Sequence, residues 1–273
     1  MTTETIQNTY EPFMAILGIG NDSNKYIDEI KDWVSPLVSA KMIDRDFTGP
    51  GDGTEIVILI ITENVDASVI AKKLKQSVFL TLIVTTCEIR AKEGCYDSMA
   101  MVSENKVMET VRTVAGILSD SFCICKDLDD LWSAMKNSGT FQTFLYTSSF
   151  EGGSLEDHMN YLNEKLKRLG SLEKILVKIT LSTEVKNRWK TEDLMYYIKF
   201  FDSFPDPIQV LGGLSFHYPQ ELPGDELAIM AIATEPRKSK EYPIKFRIFA
   251  KFKQLASWCL KIYDTIHCRR RSL

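Results

Sequence analysis

The sequence is short of the glycine that a phosphate loop needs: no segment of its first half gathers enough of the chain's 14 glycines to cradle a polyphosphate convincingly. Histidine is scarcer, at 3, and the six cysteines at 87, 95, 123, 125, 259 and 268 follow no disulfide framework. Cys123-Ile124-Cys125 has no matching second pair. No metal site is therefore expected, and the thiols read as free, buried groups of a cytoplasmic protein. An excess of basic charge is also missing. The formal net charge is -4, which argues against bulk nucleic-acid binding. The first six residues show no basic and apolar signal region, and no apolar run is long enough to span a bilayer. What is present is a chain of 273 residues with an ordinary apolar content, long enough for one or two buried cores.

Phe13 to Leu17 is a short apolar run that predicts a buried strand. A turn follows, Gly18-Ile19-Gly20-Asn21-Asp22-Ser23-Asn24, and then Tyr26, Ile27, Ile30, Trp33 and Val34 recur at helical spacing. Residues 45–54 read as loop, with Pro50 between two glycines. Glu55 to Ile61 and Val78 to Val84 are further apolar runs, separated by Thr62-Glu63-Asn64-Val65-Asp66 and a helical pattern from Ala67 to Gln76. Continuous apolar strands alternating with helices predict a parallel sheet covered on both faces. Residues 88–103 read as loop with at most a short element. Asn105 to Asp120 then forms a helix with its apolar stripe at Val107, Met108, Val111, Val114, Ala115 and Leu118.

The most informative stretch follows, Cys125-Lys126-Asp127-Leu128-Asp129-Asp130-Leu131, where Asp127 and Asp130 stand three residues apart at the start of a helix. Carboxylates so placed can polarise water or hold a cation. They can equally cap the helix and favour its positive end, which is the simpler role. The second half alternates differently. Phe141 to Tyr146 predicts a strand and Ser154 caps a helix that Gly170 ends. A strand at 172–181, a helix at 191–201, a strand at 208–218 and a strand at 226–234 complete an α+β arrangement. The remainder mixes apolar residues with Lys251, Lys253 and Lys261 and ends Arg269-Arg270-Arg271. Trp258 and Leu260 there read as packing a terminal helix against the body.

The order of these pieces over roughly 13–235 resembles the FtsZ branch of the tubulin superfamily. The most similar part is 172–235: Ile175 to Thr180, then Thr191-Glu192-Asp193-Leu194-Met195, then Val210-Leu211-Gly212-Gly213, then Gly224-Asp225-Glu226 leading to Ala233-Thr234. The resemblance implies an α/β fold: an N-terminal, mostly parallel sheet with flanking helices (Rossmann-like, tubulin/FtsZ type), then a smaller α+β domain. It divides the chain into a reduced nucleotide-binding-type domain at 1–120 with its long core helix at 105–120, a second domain at 121–235 and an extension at 236–273.

The resemblance also implies a nucleotide site, on Gly18, Gly20 and Asn24 in the first loop and on Asn105 near where the family reads guanine. In the family, an Asn-x-Asp-x-x-Asp loop reaches the nucleotide of the next subunit and positions water. The matching residues are Cys125, Asp127 and Asp130, so the acids remain and the asparagine does not. The sharper departure is at 62–66. Where the family carries Gly-Gly-Gly-Thr-Gly-Thr-Gly, this chain has no glycine and two acids. Valine takes the wrapping conformations only at high cost, and the carboxylates add like charge. The expectation is a non-catalytic FtsZ-like structural or regulatory protein with no cofactor, and not an efficient GTPase. It self-associates or pairs with a related FtsZ-like protein, heterologous contacts giving open filaments. The alternatives are a GTPase with atypical phosphate loops, binding GTP or GDP with Mg2+, and a small-molecule or regulatory module using the crevice at the sheet end. The basic C-terminal residues offer a contact for an acidic partner or membrane surface, although such tails are usually only solvated.

Overall fold

The computed structural model describes residues 13–31, 38–44, 47, 49–89, 94–118, 128–148, 155–169, 171–181, 191–205, 207–215 and 227–236. Its first sheet contains β1 (Met14–Ile19), β2 (Val38–Met42), β3 (Ile56–Ile61), β4 (Leu80–Thr85) and β5 (Ser98–Met101). All neighbours are parallel, in the order β2-β1-β3-β4-β5. Every residue of β1, β3 and β4 is buried. Such runs form only where both faces of the sheet are covered, and the side-chain alternation shows how. Met14, Ile16, Ile56, Ile58, Ile60, Leu82 and Val84 face one core with α1 (Asn24–Lys31) and α3 (Val107–Leu118). Ala15, Leu17, Val57, Leu59, Ile61 and Ile83 face a second core with α2 (Ser68–Ser77).

α3 is rich in valine, a residue of modest helix propensity, so tertiary burial rather than propensity holds it. Val107, Val111, Val114, Ala115 and Ile117 are all buried, in a core that also includes Phe141, Leu176, Met230 and Ile232 of a second sheet. That sheet contains β6 (Phe141–Ser148), β7 (Lys174–Leu181), β8 (Gln209–Ser215) and β9 (Leu227–Thr234), in the order β6-β9-β7-β8. β9 runs antiparallel to both β6 and β7, and β7 runs parallel to β8. Glycine at 116 permits the close approach of α3, because a Cβ there would stand 2.8 Å from the Met230 sulfur. α4 (Leu128–Met135), α5 (Leu155–Lys167) and α6 (Thr191–Asp202) complete the described elements. No helix among the described residues is long and apolar enough to cross a membrane.

The expected strands and helices are present, their ends within three residues wherever those ends are described, and one edge strand, β2, is added. β2 falls where the residues carry no strand signal, and β5 is the short element within 88–103. Ser154, Gly170, the turn at 219–224 and the basic residues from Lys251 to Arg271 lie outside the described residues.

One buried titratable group makes the second sheet sensitive to pH. His158 of α5 is 5% exposed, and its ring lies 4.8 Å from that of Tyr146 on β6. Burial pushes its pKa below the ordinary 6.5, against a smaller opposing pull from Asp157. The unfolded chain therefore binds this proton at a higher pH than the folded one. Stability is expected to be full above the ordinary value of 6.5 and to decline as pH falls below it. Urea unfolding at neutral and mildly acidic pH measures the decline, and His158→Leu should flatten it.

Candidate functional site

A sheet ordered β2-β1-β3-β4-β5 has its topological switch point between β1 and β3, and open α/β sheets bind ligands in the crevice beyond the strand ends there. Two segments line this crevice: the turn from Gly20 to Asn24, which enters α1, and residues 62–66, which lead to α2.

Gly18 is the penultimate residue of β1. A Cβ at this position would stand 2.6 Å from the Met42 sulfur, 2.8 Å from Ile27 and 3.2 Å from Ser23. Its small size is demanded by the packing of α1 and β2 against β1, independently of any phosphate. Gly20 has φ 89°, a left-handed backbone that glycine takes without strain, and it opens a 3-10 turn over Asn21–Ser23. Ser23 is fully buried beneath that turn. Its hydroxyl donates to the Ile19 carbonyl at 2.6 Å and lies 2.9 Å from the Thr62 hydroxyl, joining the two crevice segments. Asn24 is the first residue of α1 and is exposed.

The amides of this turn decide what it can bind. The Ser23 N–H bonds the Gly20 carbonyl at 3.2 Å, and the Asn24 N–H bonds the carbonyl of Asn21. The Asp22 N–H donates to Glu63 Oε1 at 3.2 Å. The Glu63 carboxylate lies directly over Gly20, where a Cβ would stand 2.9 Å from its Cδ. In the facing segment the Val65 N–H turns back to the Glu63 carbonyl at 2.8 Å, and Asp66 Oδ1 accepts from the Ser68 N–H at the start of α2. No residue of 62–66 has a positive φ, so the alternating backbone that forms an anion-binding concavity is absent there. A helix start attracts anions through free amides and its dipole. Here three successive amides are already engaged, one by a carboxylate of the same chain. As they stand, these residues do not fit a polyphosphate.

Asn105 lies at the same end of the sheet, in a 3-10 turn over Glu104–Lys106 that leads into α3. Its Oδ1 accepts from the Ser103 hydroxyl at 2.5 Å. Three side-chain bonds tie this region to α1. Lys25 Nζ reaches Glu104 at 3.0 Å, the Tyr26 hydroxyl donates to the Glu104 carbonyl at 3.2 Å, and Arg112 reaches Glu29 at 2.9 Å. The ion pairs are exposed and each adds little stability; the two bonds to Glu104 hold the start of α1 against the turn before α3, and the Arg112–Glu29 pair joins the middle of α3 to the last turn of α1.

The fold thus gathers Gly18, Gly20, Asn24 and Asn105 at one end of the first sheet. Asp127 lies outside the described residues, as do Cys123 and Cys125. Asp130 belongs to the first turn of α4. That helix ends toward the opposite end of the sheet, where Lys136 donates to the Phe79 carbonyl just before β4. Sequence reasoning treated Glu63 only as repelling charge and did not anticipate its bond to the Asp22 amide. No local signal exposes it, since the partners are 41 residues apart. No group of three or more potential ligands capable of holding a metal ion occurs among the described residues.

No protein-family model matches the sequence, and no curated protein matches it. Solved structures do match. The empty FtsZ dimer from M. jannaschii superposes with a TM-score of 0.56 at 10% identity, covering 88% of this chain and 96% of that one. The W319Y mutant of the same FtsZ gives a TM-score of 0.61 at 10% identity, over 83% and 92%. GDP-form protofilaments of TubZ from Bacillus thuringiensis serovar israelensis give 0.53 at 7% identity, over 96% and 91%. Five parallel strands covered on both faces, a helix shared between two sheets and a mixed second sheet account for these superpositions, and the chain has the fold of the tubulin/FtsZ superfamily.

Proposed function

We propose that this chain is a non-catalytic FtsZ-like structural protein that self-associates head to tail without a nucleotide at the joint. One observation carries the reading: the turn that would meet a phosphate uses its amides on the Glu63 carboxylate and on its own carbonyls. The crevice end of the sheet also carries exposed carboxylates at Asp22, Asp66 and Glu88, while Glu104 is paired with Lys25. A like-charged ligand is disfavoured there.

Self-association is supported by exposed apolar residues at both ends of the first sheet. Val69 and Met101 border the crevice end at 74% and 56% exposure. At the other end Phe79 is 62% exposed and Trp132 is 41% exposed. Large apolar side chains at opposite poles suit a heterologous, repeating contact. The matched structures include a dimer of FtsZ and protofilaments of TubZ.

Light scattering of the purified chain is expected to rise with concentration and without added nucleotide, and a fluorescent GTP analogue is expected to show no saturable micromolar binding. Phe79→Glu places a carboxylate in the joint against the acidic end. It should raise the critical concentration by about tenfold or more, equivalent to roughly 1.4 kcal/mol per contact. The melting curve should be unchanged because the side chain is exposed. Scattering that appears only with GTP and magnesium would refute the proposal.

A further inference from the structure

We infer that Glu63 is a built-in anion: its carboxylate holds the Asp22 amide and lies over Gly20, so that Glu63 and an external phosphate exclude one another at the β1–α1 turn. The inference rests on the non-catalytic reading of this crevice but not on self-association. Three features converge on it. The Asp22 N–H donates to Glu63 Oε1 across 41 residues of sequence. The left-handed backbone of Gly20 and its missing Cβ leave the space that the carboxylate fills, since any Cβ there would come within 3.2 Å of Glu63 Cδ, Oε1 and Cγ. The Ser23–Thr62 hydroxyl contact at 2.9 Å clamps the two segments at the base of the same crevice, which fixes the backbone that carries Glu63.

The consequence is an autoinhibitory contact within the fold. An anion arriving at the turn meets a carboxylate where it would meet an amide, and like charges that close repel one another. With Glu63 shortened, the Asp22 N–H is released at the start of a helix, where anions are favoured. The other two amides remain in the turn, so the gain is a single donor plus the relief of repulsion.

The test uses sodium pyrophosphate as the probe and the backbone amide resonances of Asp22 and Ser23 in the full chain as the readout. Wild-type protein is expected to show no saturable shift at these amides. Glu63→Ala should show one, with binding about tenfold tighter than wild type, the order expected from relieving a close charge repulsion and freeing one amide donor together. If Glu63→Ala does not fold, Glu63→Gln replaces it, keeping the side-chain length while removing the charge, with the same expected direction. Equal shifts in wild type and variant, or no shift in either, overturn the inference. The broader reading fails separately: wild-type protein would bind the fluorescent guanine nucleotide whatever pyrophosphate does at Asp22.

Discussion

Replacing Asp97 with alanine is expected to cost about 3–5 kcal/mol of folding stability, the range for removing one partner of a buried charge network. Asp97 is fully buried just before β5. One carboxylate oxygen lies 3.1 Å from Lys75 Nζ at the end of α2. The other lies 3.3 Å from Lys136 Nζ, beyond α4, and accepts the Thr81 N–H of β4 at 2.9 Å. Both lysine side chains are about four-fifths buried. Alanine would leave two cations facing each other and a buried amide without its acceptor, a loss larger than the pair's own net contribution. The carboxylate also joins elements far apart in sequence, so its removal should loosen α2, β4 and the end of α4 together. Guanidinium unfolding measures the cost. Asp97→Asn, which keeps an oxygen for the Thr81 amide, should lose less.

Lys178→Ala is expected to destabilise the fold by about 2–5 kcal/mol, comparable to truncating a large buried side chain in a core. Lys178 is fully buried in β7, paired in register with Met230 of β9. Its Nζ donates to the Gly116 carbonyl at 2.5 Å, within the last turn of α3. A cation is favoured at that end of a helix, where carbonyls lack partners along the chain. The contact joins the helix shared by both sheets to the second sheet, beside the Met230 sulfur that a Cβ on Gly116 would strike. Lys178→Met separates the two contributions, since it keeps most of the buried stem and removes the ammonium. If packing dominates, Lys178→Met loses far less than Lys178→Ala. If the tie to Gly116 dominates, the two lose similar amounts. Chemical unfolding of both variants compares them.

Both residues show where sequence reading stops. Asp97 and Lys178 are charged residues that the fold buries completely, and nothing near them in the chain reveals it. β2 was missed for a related reason. In Val38-Ser39-Ala40-Lys41-Met42 only Val38 is buried. An edge strand exists because the backbone of β1 needs a partner, and that demand leaves little apolar pattern. β3 was plain because all six of its residues are apolar and a doubly covered strand admits nothing else.

The candidate site divides the same way. The absence of glycine from Thr62 to Asp66 is visible in the residues themselves, and what it means for the backbone there follows from steric geometry. The roles of the individual glycines do not. Gly18, assigned by resemblance to a phosphate loop, is needed for the approach of Met42 and Ile27. Glu63, read as a charge that repels phosphate, also accepts an amide hydrogen bond.

Composition and apolar periodicity by themselves determined the succession of strands and helices, the parallel character of the first sheet and the absence of glycine from the turn at 62–66, because each is read directly from the residues or follows from a local rule about which side chains a buried strand, a helix face or a tight turn accepts. Tertiary structure alone decided which glycine serves packing, which carboxylate is buried among lysines and which acid lies over the β1–α1 turn. Those facts depend on residues brought together from 41 or more positions apart in at least one case, Asp22 and Glu63, and a chain reports such meetings only once its cores have closed.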